Sequence, residues 1–152
     1  MYPDIDDVKR HMEKLSGVPR PDSVEIWPEV VLARSFLEEA YGCCRNHSRH
    51  KLVPATMLKS EVERFIGNQI SDYAVMVALL LSSYTTRPTA INPSEFEKLE
   101  VKFPPISRFE EKRELWAEHQ RGLEQEIQLE RDEMQKRVRP PQQQMKPTQV
   151  LQ

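Results

Sequence analysis

The chain has few cysteines and lacks a long apolar run. Its two cysteines, Cys43 and Cys44, are adjacent, and adjacent cysteines rarely bridge each other because the ring would be strained. A disulfide scaffold is thereby excluded, which agrees with a reducing compartment and predicts a cytoplasmic protein. The longest apolar run, Ala74 to Leu81, is far shorter than the ~20 residues that cross a bilayer. The acidic start also lacks the apolar segment of a secretory signal, so we expect no membrane association.

Signatures of catalysis and of general anion binding are also missing. The four glycines form no phosphate-cradling loop, and the sequence contains neither a G-x-S-x-G elbow nor an H-E-x-x-H pair. We therefore predict a protein that is not an enzyme and that needs no cofactor. The net charge of −2 argues against general attraction to nucleic acid or to an anionic membrane, because both need an excess of Lys and Arg.

The most informative feature that is present is a change of character at Ser107. Residues 1–106 carry most of the apolar side chains and predict a compact helical body, with a proline-rich segment at 85–106. Residues 107–139 are highly charged, contain no proline and predict one long amphipathic helix. Residues 140–152 form a tail rich in proline and glutamine, which we expect to be flexible or to dock as a short peptide.

The fold class predicted from periodicity is all-α, with four or five helices in the body. We expect helices from Asp4 to about Ser16, from Pro28 to the 42–46 region, from Pro54 to Gly67 and from Ser71 to about Tyr84. The last of these is apolar on every side between Ala74 and Leu81 and should lie at the centre of the body. Asn92 should open a short helix to Leu99, and Val101 to Phe103 could be extended.

The long helix has an interrupted apolar stripe. Ser107 and Glu110 have the spacing of a capping box at its start. Arg113, Gln120 and Glu130 stand where a strict heptad would place Leu or Ile. The helix could return along its own body, form a coiled coil with a second copy, or bind in a groove of another protein. We expect it to stand away from the body and to contact a partner through Trp116, Leu123, Ile127, Met134 and Val138.

A cluster of cysteines and histidines suggests a small zinc-binding domain as one alternative. The candidate ligands lie within eight residues, namely Cys43, Cys44, His47 and His50. A single short segment rarely supplies four ligands that converge as a tetrahedron. The competing interpretation makes Cys44 a small core residue and places His47 and His50 in a solvated loop.

A nucleic-acid-binding regulator is the other alternative. It would use a basic patch formed by Arg45, Arg49, Lys51, Lys59 and Arg64. The helix pair that meets near Gly67 cannot act as a helix-turn-helix motif. No Lys or Arg occurs between Phe65 and Thr86, so the second helix has nothing basic to place in the groove.

These features together predict an adaptor or assembly factor. A compact body would provide a platform, and the C-terminal helix would dock on a larger protein or on a second copy of the chain. The same build would suit a small accessory or assembly protein of a phage or virus.

Overall fold

The fold is mostly helical and includes a small antiparallel sheet. The computed structural model describes residues 3–15, 21–43, 47–82, 84–105 and 113–138. In chain order the elements are α1 (Ile5–Met12), α2 (Ser23–Cys43), β1 (Lys51–Pro54), α3 (Ala55–Ile66), α4 (Asp72–Leu81), β2 (Thr86–Arg87), β3 (Glu100–Phe103) and α5 (Arg113–Val138). Short 3-10 helices cover His47–Arg49 and Pro93–Lys98.

Helix α4 lies at the centre of the body, as its all-round apolar composition predicts. Every residue from Tyr73 to Leu79 is buried, and α4 packs along α2. The helix begins after Ser71, whose Oγ accepts a hydrogen bond of 3.1 Å from the backbone N–H of Ala74. The predicted start is therefore confirmed. Its end comes at Leu81, earlier than predicted, because Ser82 adopts extended backbone.

Helix α3 and the start of α1 also follow their sequence signals, whereas α1 ends at Met12, before the predicted end near Ser16. The backbone N–H of Asp7 donates to the Asp4 carboxylate, and the N–H of Asp4 donates in turn to the carboxylate of Asp7, which makes a capping box. Helix α3 follows Pro54 and ends at Gly67, whose φ of 78° lies in the left-handed region that glycine adopts without strain. Both ends predicted for α3 are confirmed.

Helix α2 begins earlier than predicted, and Pro28 lies inside it rather than at its start. The Asp22 carboxylate accepts a hydrogen bond of 2.9 Å from the backbone N–H of Val24, as a residue preceding a helix does. Pro28 has no N–H to donate one turn back, a cost that only tertiary packing can offset. Burial of Trp27 and the nearby Ile26 offsets this cost. Trp27 Nε1 also donates a hydrogen bond of 3.0 Å to the Pro3 carbonyl.

A small three-stranded sheet adds to the mostly helical fold that periodicity predicted. Its strand order is β1-β3-β2, and both pairings are antiparallel. Lys51 pairs with Phe103, and Thr86 pairs with Val101, so strands far apart in sequence meet. The extended segment predicted from Val101 to Phe103 is confirmed as the inner strand β3, in which both residues are buried. The sheet gives the proline-rich part of the chain a fixed place against the helices.

Helix α5 packs against α2 and α3 instead of standing away from them. Ile127 and Met134 are buried in the same core as the body residues. This corrects the expectation that the helix projects. The physical reason is that the body leaves apolar surface on α2 and α3 uncovered, and the stripe on α5 can cover it without a partner. The tail, residues 140–152, lies outside the described residues.

Candidate partner-binding site

Helix α5 meets the body along one narrow stripe, here called the seam. The seam consists of Gln120, Leu123, Glu124, Ile127, Glu130, Arg131 and Met134. Three of these residues are buried and recur every seven positions: Gln120 is 5% exposed, Ile127 5% and Met134 7%. The other four are half-buried. Heptad spacing keeps one helix face against its neighbour over several turns, so α5 runs along the body in register.

Gln120 ties the seam to the end of α3. Its Nε2 donates a hydrogen bond of 2.7 Å to the backbone carbonyl of Ile66 and one of 3.2 Å to Oε1 of Glu124. Ile66 lies in the last turn of α3, where carbonyls have no partner within the helix. The two acceptors fix the orientation of the amide, because the reverse orientation would bring three oxygens together. Gln120 thus supplies the donor that the C-terminal end of α3 needs.

Two polar atoms of the seam are buried without a hydrogen bond. Among the described residues, no donor reaches Oε1 of Gln120 and no acceptor reaches Nε of Arg131. An unsatisfied buried polar atom costs about 1–3 kcal/mol. Together with the half-buried Glu124 and Glu130, these atoms weaken the contact of α5 with the body. The seam is therefore much more polar than the core that it covers.

The outward face of α5 is polar and solvated. Gln128 Nε2 donates to Oδ1 of Asp132 at 3.0 Å, and Lys136 Nζ lies 3.7 Å from Oε1 of Glu133. Leu129 is the main apolar exception at 67% exposed. A single exposed leucine is common on protein surfaces and does not indicate a docking patch. Among the described side chains of α5, the apolar ones that could bind a partner therefore lie in the seam, apart from Leu129.

The predicted partner-binding residues lie along the seam where the structure describes them. Ile127 and Met134 are in the core, and Leu123 packs against it half-buried. The side chains of Trp116 and Val138 lie outside what the structure describes. The residues thus share one helix face, as predicted, but that face meets the chain's own body. A partner could reach them only after α5 leaves the body.

His50 is buried, which corrects its placement in a solvated loop. It is 6% exposed, and its ring meets that of Tyr41 edge-on at 5.7 Å between centroids. Cys44 and the side chains of Cys43 and His47 lie outside the described residues. Within the described ranges, no group of three or more potential ligands could hold a metal ion. The zinc hypothesis remains a prediction.

His50 belongs to an aromatic cluster that the sequence analysis missed. Neighbouring centroids lie 5.1 to 6.2 Å apart along the series Phe65, Phe36, Phe103, Tyr84, Tyr41 and His50. The Tyr84 hydroxyl also donates a hydrogen bond to the Leu37 carbonyl of α2. These rings come from separate segments of the chain, so no local spacing could have revealed them. The cluster fastens α2 to α3 and the sheet by offset and edge-on ring packing.

The basic patch is partly neutralised by carboxylates. Lys59 Nζ lies 2.9 Å from Oδ1 of Asp72, and this hydrogen bond raises the pKa of Lys59 above its usual 10.5. Arg64 pairs with Glu61 and lies over the ring of Phe65 at 5.1 Å.

Two other members of the patch are exposed. These are Arg49 and Lys51, whereas Arg45 lies outside the described residues. The nucleic-acid alternative therefore has fewer free cations than the sequence suggests, because Lys59 and Arg64 already face carboxylates.

Comparison with known proteins gives no relative. No family model, no curated protein and no solved structure matches the chain. Among the described residues, no helix combines the length and the apolar character that a membrane span requires.

Proposed function

We propose that the protein is a non-enzymatic adaptor or assembly factor that engages a larger protein through α5. The observation that carries this proposal is the poor fit between the length of α5 and its share of the core. The helix has 26 residues and extends about 39 Å, yet over 117–136, where its side chains are described, the buried apolar ones are Ile127 and Met134. Over that range the helix buries few apolar side chains for its length.

The seam has the composition of a docking surface used by a helix in a groove. Leu123, Ile127 and Met134 supply anchors at spacings of four and seven. Half-buried Glu124, Glu130 and Arg131 flank them and favour a partner groove with charges at its rim. A partner that satisfies the orphan atoms of Gln120 and Arg131 would bind the seam better than the body does. The seam would then leave the body and bind the partner.

The test compares a seam variant with a matched variant on the outer face. The seam variant carries Ile127→Ser and Met134→Ser, and the control carries Leu129→Ser. Proximity labelling in the native host should recover a protein with wild type and control but not with the seam variant. Binding of that purified protein to wild type should then weaken at least about tenfold on seam substitution, which corresponds to about 1.4 kcal/mol.

Two further measurements make the result decisive. Circular dichroism of the seam variant must show a folded body, so that loss of binding can be attributed to the substituted seam residues. A chain that ends at Gly122 removes the distal seam altogether. If that shortened chain folds and still binds every protein that the full chain binds, the distal half of α5 is not the docking element and the proposal is wrong.

A further inference from the structure

We infer that α5 is a separable strap, released and redocked as a unit, and that the hydrogen bond from Gln120 to Ile66 sets the register in which it docks. Release would leave the body, α1 to α4 with the sheet, folded. This inference deepens the proposed function and rests on it for its biological use, because only a released strap exposes the seam to a partner. Release and redocking of α5 depend on the chain alone.

The distribution of the core explains why the body can survive release. Of the thirty buried apolar side chains among the described residues, only Ile127 and Met134 belong to α5. The remainder come from α1 to α4, the strands and the segments that join them. Stability that varies along a chain permits one element to open locally while the rest remains folded. Among the five α-helices, α5 has the fewest buried apolar side chains for the length over which its side chains are described, and it is the helix expected to open first.

The heptad repeat of the seam leaves its register open to error. Sliding α5 by seven residues would place Ile127 at the position of Gln120, and Met134 at the position of Ile127. Apolar packing alone would oppose this shift only in part, because Ile127 and Met134 would keep buried positions while Glu130 would replace Leu123. The shifted helix would, however, leave the Ile66 carbonyl without its donor, whereas the observed register satisfies it at 2.7 Å. A single polar residue at a buried heptad position is a recognised way to fix register at a cost in stability.

The same residue makes docking reversible. Oε1 of Gln120 is buried without a donor among the described residues, although Nε2 has two acceptors. Arg131 Nε adds a second unsatisfied atom to the seam. Release exposes both atoms to water and removes their desolvation penalty. Gln120 therefore selects one docked register and also limits how tightly α5 is held.

Hydrogen exchange measured by mass spectrometry on the full chain tests this inference. In wild type, peptides from α5 should exchange at least about tenfold faster than peptides from α4. Gln120→Glu replaces the amide donor with a carboxylate that faces the Ile66 carbonyl and Glu124. Exchange in α5 should then accelerate by a further factor of about ten or more, while exchange in α4 changes less than about twofold. Gln125→Glu makes the same charge change at an exposed position of α5 and should leave both rates within about twofold.

Two other outcomes of the exchange experiment would contradict the inference. If α4 and α5 exchange at one common rate, α5 opens only by global unfolding and the strap does not exist. If Gln120→Glu alters α5 no more than Gln125→Glu does, Gln120 does not control docking. Should Gln120→Glu fail to fold, Ile127→Ala weakens the seam more gently and must accelerate exchange in α5 selectively. These rates need no partner, so a separable strap without a seam-dependent partner would remove the proposed function and leave this inference standing.

Discussion

Helices α4 and α5 differ in length, in composition and in how much of each is buried. Helix α4 has ten residues, and Tyr73 to Leu79 are all buried. Helix α5 has 26 residues, of which Gln120, Ile127 and Met134 are the buried ones among those whose side chains the structure describes. The short helix cannot leave without destroying the core, whereas the long one covers that core along a single stripe. The contrast teaches that helix length and contribution to the core are independent quantities.

The most severe way to test this contrast is to charge the centre of α4. Val77 is fully buried in the hydrophobic core, so Val77→Asp places a carboxylate among apolar side chains. The expected result is loss of the folded state, because an unpaired buried charge costs several kcal/mol and typical domains have only about 5–15. Urea unfolding followed by circular dichroism measures it. Leu129→Asp on the outer face of α5 should change the free energy of unfolding by less than about 0.5 kcal/mol.

A matched pair of methionines sharpens the contrast. Met76 in α4 and Met134 in α5 are 2% and 7% exposed, so the same substitution removes similar atoms from two buried sites. We expect Met76→Ala to lower the free energy of unfolding by about 2–5 kcal/mol. Met134→Ala should cost about 1 kcal/mol, because the end of a weakly held helix can relax into the space. Equal losses in urea unfolding would show that α5 is an integral part of the core.

Much of the body could be predicted from the sequence because its signals are local. The apolar run of α4, the cap at Ser71 and the left-handed glycine at Gly67 each act within one or two turns of helix. Pro28 misled the prediction for the opposite reason. Its preference for the first turn is also local, and it was overridden by the burial of Trp27, which depends on contacts with distant residues.

The sheet and the placement of α5 could not be predicted because both depend on non-local contacts. Strands β1 and β3 have four residues each, too few for alternation to stand out, and they pair across the whole of α3 and α4. The stripe on α5 predicted an apolar face correctly, but a stripe is the same whether it meets a partner or its own body. The burial of Ile127 and Met134 and the hydrogen bond from Gln120 to Ile66 distinguish these cases, and both depend on residues far away in the sequence.

A smaller effect is expected at the start of α4. Ser71→Ala removes the Oγ that accepts from Ala74, although Glu29 still accepts from the backbone N–H of Ser71 at 2.7 Å. We expect the free energy of unfolding to fall by about 1 kcal/mol. Ser60→Ala is the control, because that hydroxyl only bonds back to the Thr56 carbonyl inside α3. If Ser60→Ala costs as much as Ser71→Ala in urea unfolding, the cap is not what defines where α4 begins.

The smallest expected effect belongs to the ion pair that joins α3 to the first residue of α4. Lys59 is 27% exposed and Asp72 53%, so solvent screening limits the pair to at most about 1 kcal/mol. The hydrogen bond to Asp72 raises the pKa of Lys59, and the nearby charges of Asp72, Glu63 and Glu29 also raise it, against a lowering by partial burial. A pKa raised in the folded chain means that the pair stabilises fully below the usual value of 10.5. That contribution is lost as the pH rises through the raised pKa.

Lys59→Met retains the aliphatic stem and removes the charge, so it isolates this contribution. The difference in free energy of unfolding between wild type and Lys59→Met should be constant from about pH 8 to pH 9 and should shrink towards zero near pH 12. Titration of every other group cancels in that difference, because both chains share those groups. In an Asp72→Asn background, Lys59→Met should have little effect at any pH. A difference that persists unchanged at high pH would mean that it does not arise from the charge of Lys59.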